Sequence, residues 1–451
     1  MGTVSTPFSQ VPPLTFGLAQ RQDLFYNGVF GQGAFASWAD RRVTSVQSWR
    51  STYVPDMWMI GEEEAWRYVR SRMSEAALIV GAVAQWHTLT AQQVSAFVGK
   101  SQAGTSTRGA SYPSKLVRCL FALGVLDVGF PVVAWFNSSR NKGPCLVKIG
   151  RSKDVRRFVS ELSLAERWCA SGGLPVVGGP NGDRHNVLMA ELALRVAQIC
   201  DVGGVAGERV ASVPVLAFDS VGMGRPSWCA RSSSCADAVL VRRDGVRVAV
   251  ELTASATPNL DAKTARWART LASSPFDRSG LVVVFVEAGV SSGPALEGRV
   301  RRSVARAARL HPGGPSNRVA ERMFVASWRD WFPEFERVNT DALGVLTARS
   351  AAGRSVELLD VWDVPSSKNR DLACAVENLA LCAGTPWWMR RLSVDVNGRA
   401  LDSLGLRIDA VPPESRSGRR LGFGVNPDGH VVELPPRLGG FVEAARVEAG
   451  M

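Results

Sequence analysis

A run of six consecutive apolar residues, LVVVFV at 281–286, places the tightest constraint on what this chain can fold into. A strand with one solvated face alternates apolar and polar residues, whereas a continuously apolar strand has to be covered on both faces. Helical patterns flank the run in the sequence, from about Pro258 to Ala272 and from Leu296 to Leu310. The run therefore predicts an α/β domain with a buried central strand.

Length and composition bound the classes of protein that remain. A chain of 451 residues, 46% hydrophobic and 21% charged, is too long for one ordinary core, so we expect two or three globular domains. It contains no run of eighteen apolar residues, and its first residues lack a basic start followed by an apolar stretch. These features argue against a membrane span or a signal peptide, and we expect a cytoplasmic protein without a membrane partner.

Cysteine and histidine placement argues against a structural metal site. The eight cysteines are widely spaced without a C-x-x-C pair, and the four histidines form no ligand cluster. Structural zinc is therefore not expected, and the thiols are predicted to be reduced and mostly buried.

Positive charge is concentrated in one part of the chain. The formal net charge is +12, and the stretch from Lys100 to Arg157 holds eleven Lys and Arg against two acids, a local balance of +9. A concentrated positive charge indicates a polyanionic partner such as nucleic acid. A solvated basic loop explains the same charge equally well.

Residues 61–168 have the pattern of a winged-helix DNA-binding domain, preceded by an irregular arm over residues 1–60. The segment EEEAWRYVRSRMSEAALIVGAVAQW has helical periodicity, and HTLTAQQVSAFVG predicts a second, short helix after a capping threonine. SYPSKLVRCLFALGVLDVGF then predicts a third helix that ends at Gly124 and a strand-like tail. Three helices followed by a hairpin outline a winged helix, and a small helical bundle that binds a protein is the alternative.

Two groups of polar residues are candidate contacts to double-stranded DNA. In the first group, the third helix presents its exposed face to a groove, and a basic wing from Asn137 to Lys153 follows it. In the second, arginines form a stripe on the 296–310 helix that touches successive phosphates, although a solvated face explains that stripe as well. The candidates are Ser114, Lys115, Arg118, Arg140, Lys142, Lys148, Arg151 and Lys153 in the first group and Arg299, Arg302, Arg306 and Arg309 in the second.

Residues 184–332 form a second predicted domain with the element order helix, three strands, helix, strand, helix, strand. Its first helix, from Arg184 to Cys200, carries Glu191 at the edge of an apolar face, and ERVASVPVLAF is the first predicted strand. Residues 333–451 are predicted to be a small α+β appendage for docking or for contact with another copy of the chain.

Two carboxylates interrupt the strand pair in SCADAVLVRRDGVRVAVELTAS, residues 234–255. A two-residue turn at Asp244 and Gly245 would send Asp237 and Glu251 to opposite faces, whereas a three-residue loop with Gly245 in the left-handed position sets them directly across from each other. We favour the second register. Two like charges side by side are destabilising unless a cation lies between them, and Mg²⁺ is the natural candidate.

A lysine occupies an apolar position in the next helix. In PNLDAKTARWARTLA the inward stripe is Leu260, Lys263, Trp267 and Leu271, which directs Lys263 toward the sheet. A cation aimed at a metal site orients a water nucleophile or stabilises charge on a phosphate. Taken singly, a half-exposed acid at a strand end and a lysine that snorkels from the rim are ordinary structural features. Their joint arrangement favours a site.

The strand order and these residues resemble the PD-(D/E)XK nuclease superfamily, whose core is a helix, three strands, a helix and a further strand. Asp237 in CADAVLV matches the motif Asp, Glu251 in VAVELTAS matches the following acid, and Glu191 matches an extra acid that many members use. The resemblance implies that Asp237, Glu251 and Glu191 hold Mg²⁺ or Mn²⁺ and that Lys263, relocated to the next helix, is the catalytic lysine. Two positions depart from the pattern: Ala236 replaces the Pro, and Thr253 replaces the lysine.

A winged helix joined to such a domain also resembles the replication-relaxation proteins of actinobacterial plasmids and other mobile elements. The resemblance covers roughly residues 75–332 and is carried by LTAQQVSAFVG, RHNVLMAELALRV, ADAVLV, VAVELT and VASWRDWFP. It implies DNA handling in replication, transfer or defence of such an element. The expected function is a DNA-binding protein with a metal-dependent nuclease-like domain. The alternatives are a catalytically inactive DNA-binding or assembly factor and a module that binds only proteins.

Overall fold

The chain divides into two compact units, residues 1–194 with 382–451 and residues 195–381. The computed structural model of the protein describes residues 35–39, 60–98, 104–106, 109–132, 144–162, 175–179, 182–200, 202–208, 235–242, 244, 246–254, 259–289, 294–333, 338–366, 422–425 and 431–434. Among these described residues, no helix combines the length and the apolar character that crossing a membrane requires.

The described part of the first unit is a set of helices beside a four-stranded antiparallel sheet of order β1-β5-β6-β2. The helices are α1 (Glu62–Arg70), α2 (Met73–Trp86), α3 (Ala91–Val98), α4 (Lys115–Ala122) and α5 (Ser152–Glu161), and α6 (Asp183–Ile199) crosses the division between the units. The strands are β1 (Phe35–Trp38), β2 (Thr88–Thr90), β3 (Thr105–Ser106), β4 (Gly109–Pro113), β5 (Leu126–Val132) and β6 (Leu146–Ile149).

Local hydrogen bonds explain where the short helices begin and end. Thr90 Oγ1 accepts from the backbone N–H of Gln93 at 3.0 Å, and Gln93 Oε1 accepts from the N–H of Thr90 at 3.0 Å, a reciprocal capping box that confirms the predicted capping threonine. The third predicted helix, α4, is followed by Gly124 at φ +78°, where glycine adopts the left-handed conformation without a steric penalty.

Three predictions for the first unit need correction. The segment 62–86 forms two helices instead of one, with Arg72 at φ −134° and ψ 35°, outside the helical region, between them. Residues 35–38 of the predicted irregular arm form strand β1 against β5. The predicted wing loop up to Lys153 instead contains strand β6 and the start of helix α5.

The second unit is built on a seven-stranded mixed sheet of order β13-β12-β11-β10-β9-β8-β7, which confirms the α/β class. Strand β10 carries the apolar run, pairs in parallel with β9 and β11, and is buried along its whole length. The strands are β7 (Val202–Gly207), β8 (Ala238–Arg242), β9 (Arg247–Thr253), β10 (Leu281–Glu287), β11 (Met323–Ser327), β12 (Thr347–Ser350) and β13 (Ser355–Glu357).

The two long helices of this unit, Leu260–Ser273 and Pro294–Leu310, lie side by side and pack on β10. They follow β9 and β10 in the chain, as a parallel connection requires. The helices of the unit are α7 (Leu260–Ser273), α8 (Phe276–Ser279), α9 (Pro294–Leu310), α10 (Trp328–Trp331) and α11 (Thr340–Gly344), with a 3₁₀ turn at Val319–Glu321.

Two predicted boundaries differ from the structure of the second unit. The first strand is Val202–Gly207, ahead of the predicted ERVASVPVLAF, whose residues after Glu208 lie outside the described part of the chain. Glycines mask this strand in the sequence, because they are depleted in strands in general. The sheet also continues past residue 332 into β12 and β13, so residues 347–357 belong to the sheet and not to a separate appendage.

Little of the predicted C-terminal appendage lies among the described residues. Beyond residue 366 these comprise a two-stranded antiparallel hairpin of β14 (Gly422–Val425) and β15 (Val431–Leu434). Residues 367–421, 426–430 and 435–451 lie outside them.

Candidate active site and cationic surfaces

The pairing of β8 with β9 brings the two predicted carboxylates together. Ala238 is the partner of Val250, and at the other end the Arg242 N–H donates to the Val246 carbonyl at 2.8 Å. This pairing leaves three residues between Arg242 and Val246, so the register favoured from the sequence is confirmed. Asp237 lies just beyond this ladder, where its N–H donates to the Val250 carbonyl at 3.0 Å and its carboxylate is on the same side of the sheet as that of Glu251.

Lys263 reaches both carboxylates from helix α7. Its Nζ forms a close ion pair with Glu251 Oε2 and lies 3.5 Å from Asp237 Oδ2. The Glu251 side chain is fully buried and the Lys263 side chain is 28% exposed, so solvent reaches the cluster from the lysine side. The predicted inward direction of Lys263 is therefore confirmed, together with the convergence of the three charged groups.

The carboxylates have further partners that the sequence patterns did not identify. Trp267, one helical turn after Lys263, donates its indole N–H to Glu251 Oε1. The Leu252 N–H donates to Asp237 Oδ2 at 2.7 Å. The stripe spacing indicated that Trp267 faces inward, but the pattern of apolar positions treats tryptophan as a core residue and ignores its donor.

Burial and mutual charge shift the proton affinities in this cluster. Burial and, to a smaller extent, the negative charge of Asp237 raise the pKa of Glu251, Lys263 and Trp267 lower it, and the net pKa is about 8. Burial by itself lowers the pKa of Lys263, but the two carboxylates outweigh it, so the net pKa is raised and the ammonium stays charged. Strong shifts of this kind from burial plus named charged partners are typical of functional sites.

The oxygen donors of Asp237 and Glu251 fit a hard divalent cation such as Mg²⁺, which accepts few protein ligands and keeps several waters. Across the described ranges, no group of three or more His, Cys, Asp and Glu side chains is arranged to hold a metal. Thr253, which stands where the resemblance to the nuclease motif would place a lysine, is buried at the end of β9. In the first unit, the Glu191 carboxylate accepts from Gln93 Nε2 at 3.1 Å, and its role as a metal ligand stays a prediction.

The predicted contacts on the third helix differ from one another in the structure. Ser114 is only 5% exposed, and its Oγ caps α4 by accepting from the Val117 N–H at 3.1 Å, so its expected exposure is wrong. Lys115 is exposed and bonds to Glu64 Oε1 at 3.1 Å. Arg118 is half-buried, with its guanidinium 5.8 Å from the Tyr112 ring centroid.

The predicted wing residues separate into three groups. Arg140 and Lys142 lie outside the described residues. Lys148 lies in β6 with its ammonium 3.9 Å from the Trp38 ring centroid, a cation–π contact. Arg151 and Lys153 are exposed at the start of α5 and not on a loop, because Ser152 already begins that helix.

The arginine stripe on α9 is exposed as predicted. Its members Arg299, Arg302, Arg306 and Arg309 are all accessible to solvent. Arg306 also lies 3.6 Å from Asp261 Oδ2 at the start of α7. Exposed pairs of this kind contribute little to stability, so Arg306 keeps most of its capacity to meet another anion.

No family model, curated protein or solved structure matches the chain. The candidate site is therefore defined by its own geometry, in which Asp237, Glu251 and Lys263 converge on one face of the sheet.

The Trp267 contact predicts a measurable asymmetry between two buried indoles. We expect Trp267→Phe to lower the free energy of unfolding by about 2–3 kcal/mol, because a buried, partly ionised carboxylate loses its donor. The matched control is Trp331→Phe, which removes a 3.1 Å hydrogen bond to the neutral Thr347 carbonyl and should cost about 1 kcal/mol. Urea unfolding of both variants measures the difference, and equal losses would contradict the special role of Trp267.

Proposed function

We propose that this chain is a double-stranded-DNA-binding protein with a metal-dependent nuclease-like site, serving a plasmid or another mobile element. The observation that carries the proposal is the position of Lys263 Nζ, which contacts both members of the cross-strand carboxylate pair Asp237 and Glu251. Two acids supply oxygen ligands for a metal and one lysine supplies a positive charge, which are groups that metal-assisted phosphodiester hydrolysis can use.

The order of elements around the site supports the same assignment. Helix α6, antiparallel strands β7, β8 and β9, helix α7 and parallel strand β10 follow the order of the PD-(D/E)XK nuclease core. In the first unit, α2, β2, α3, α4 and the β5–β6 pair follow the order of a winged helix, in which β2 pairs with β6. A duplex-binding unit and a hydrolytic unit in one chain are the combination that the proposal requires.

Each residue of the cluster has a distinct role in the proposed reaction. Asp237 and Glu251 would hold Mg²⁺ or Mn²⁺ through their carboxylate oxygens. The bound ion would supply Lewis-acid polarisation of the phosphodiester and an acidified water ligand. Lys263 keeps a positive charge at Nζ, where it orients the nucleophilic water and stabilises the charge that develops on the phosphate. Trp267 fixes the orientation of Glu251.

A catalytically inactive DNA-binding or assembly factor is the second candidate, and specific observations favour it. Both oxygens of Glu251 already have partners, Trp267 on Oε1 and Lys263 on Oε2. Thr253 also occupies the position at which the nuclease motif has its lysine. In this alternative the three charged groups form a buried structural cluster and the fold is a scaffold.

DNA cleavage assays separate the two candidates. Purified protein is incubated with supercoiled and linear DNA, with and without Mg²⁺ or Mn²⁺, beside Asp237→Asn and the control Asp341→Asn on an exposed helix start. An active site predicts metal-dependent cutting that falls at least about a hundredfold in Asp237→Asn and is unchanged in Asp341→Asn. Salt-sensitive binding without cutting supports the scaffold, and failure to bind DNA would exclude both.

A further inference from the structure

An open groove runs along helix α9 on the flank that faces strand β12. Four residues of α9 line it, and their spacing of i, i+3, i+4 and i+7 places them on one helix face. Val325 of β11, Arg349 of β12 and the turn after β12 form the opposite wall, and the groove has a volume of about 380 Å³. The four helix residues are Gly298, Arg301, Arg302 and Ala305.

The groove is cationic. Three arginines line it, Arg301, Arg302 and Arg349, and the lining contains no acidic side chain. All three are exposed to solvent. The nearby acids are Glu297, 3.8 Å from Arg301, and Asp330, whose charge interacts with Arg349. Exposed pairs of this kind are worth about 0–1 kcal/mol and are easily exchanged for another anion.

Small residues keep the groove open. A Cβ on Gly298 would lie 3.2 Å from Arg302 Nη1, so the absence of a side chain leaves room for that guanidinium. Glycine in a helix interior costs about 1 kcal/mol of stability relative to alanine, so the space beside Arg302 comes at a cost to the helix. On the opposite wall, Gly353 has a φ of +90° and allows the tight turn between β12 and β13.

This surface differs from the arginine stripe that the sequence predicted. The stripe and the groove share Arg302, but Arg299, Arg306 and Arg309 do not line the groove. The groove instead adds Arg301 from the same helix and Arg349 from a strand that follows it by many residues. The groove is therefore a second cationic surface of α9, on the side of β12.

We propose that this groove binds the phosphodiester backbone of duplex DNA, an inference that rests on the proposed function. Planar guanidinium groups match phosphate oxygens in a bidentate manner, and three of them converge on a cleft with apolar walls at Ala305 and Val325. Because α9 packs beside α7, which carries Lys263, a duplex held here lies on the unit that contains the carboxylate pair.

The test compares the salt dependence of DNA binding in two double variants of the full chain. Binding of a fluorescein-labelled duplex is followed by anisotropy over a salt series for wild type, Arg301→Gln/Arg349→Gln and the control Arg318→Gln/Arg354→Gln. The control arginines are also exposed and lie 3.7 Å from Glu321 and Asp363, respectively. The negative slope of log K against log salt should decrease in magnitude by about 1.8 in the groove variant, roughly 0.9 for each lost phosphate contact, and stay unchanged in the control.

Each other outcome overturns the inference in a recognisable way. If the wild type binds DNA and the groove variant has the same salt slope as the wild type, the proposed function stands but the groove is excluded as a DNA-binding surface. An equal decrease of the slope in the groove variant and in the control indicates a general charge effect and also excludes the groove. A wild-type protein that does not bind DNA at low salt excludes both the groove inference and the proposed function. Displacement of the duplex by inorganic phosphate at matched phosphate concentration assigns the groove to a free anion.

Melting temperatures of the two double variants are measured beside that of the wild type, and unchanged values exclude misfolding as the cause of any difference in binding.

Discussion

Replacing Lys263 with methionine is expected to lower the free energy of unfolding by about 3–5 kcal/mol above about pH 8, where Glu251 is ionised, because one partner of a buried ion pair is removed while the other stays. Glu251 is fully buried and shares the Lys263 ammonium with Asp237, so the variant leaves two carboxylates without the positive charge between them. If the site is catalytic, metal-dependent DNA cleavage falls to background in the same variant. Urea unfolding and the cleavage assay measure the two effects.

A second substitution separates the structural effect from the chemical one. The double variant Lys263→Met/Glu251→Gln removes the buried negative charge, so most of the stability should return while cleavage stays absent. The indole N–H of Trp267 can still donate to the amide oxygen at residue 251. If the single variant is as stable as wild type, Lys263 does not neutralise the pair, and the assignment of the site fails with it.

The loss of unfolding free energy in Lys263→Met depends on pH, and the direction of that dependence follows from the pKa of Glu251. The folded-state pKa of Glu251 is raised to about 8, above its ordinary value, so the native state binds more protons than the unfolded state over the intervening pH range. The stabilisation from this proton is fully present below the ordinary pKa of glutamate and is lost as the pH rises through about 8. Without Lys263 the pKa of Glu251 rises further, so the variant recovers stability on acidification, which denaturation at a series of pH values measures.

The carboxylate pair was predictable because strand register and helix periodicity are local properties. A three-residue loop fixes which residue faces Glu251, and the spacing of Leu260, Trp267 and Leu271 fixes the direction of Lys263. Both inferences need only the residues between positions 237 and 271. The contact of Trp267 with Glu251 was missed because it depends on how deep the indole sits between helix and sheet, which periodicity does not specify.

Features that depend on distant segments were not predictable in the same way. The groove brings Arg301 next to Arg349 only because β12 adds to the sheet beyond β11. Ser114 was assigned to an exposed face, since a serine before a helix is equally consistent with a cap and with a surface contact. Strand β7 is rich in glycine and is defined by its pairing with β8, a long-range property that strand propensity does not capture.

Arg322 predicts a second large loss of stability at a site without a proposed catalytic role. Its side chain is 4% exposed, and its guanidinium lies where the ends of α7, α8 and the start of β10 meet. It donates to the Leu271, Ser274 and Leu281 carbonyls, to Asn317 Oδ1 and to Ser279 Oγ. Two of these acceptors, the Leu271 and Ser274 carbonyls, lie at the C-terminal end of α7, where the last carbonyls lack the donor four residues further along that an interior carbonyl has.

Arg322→Met is therefore expected to lower the free energy of unfolding by about 3–5 kcal/mol, because several buried acceptors lose their donor together. The control Arg318→Met changes a side chain that is 67% exposed and should stay within about 0.5 kcal/mol of wild type. Burial lowers the pKa of Arg322 only to about 10, so the guanidinium is charged throughout the neutral range and this loss is independent of pH there. A loss that instead disappears on acidification, as expected for Lys263→Met, would show that Arg322 acts through the carboxylate pair and not through the end of α7.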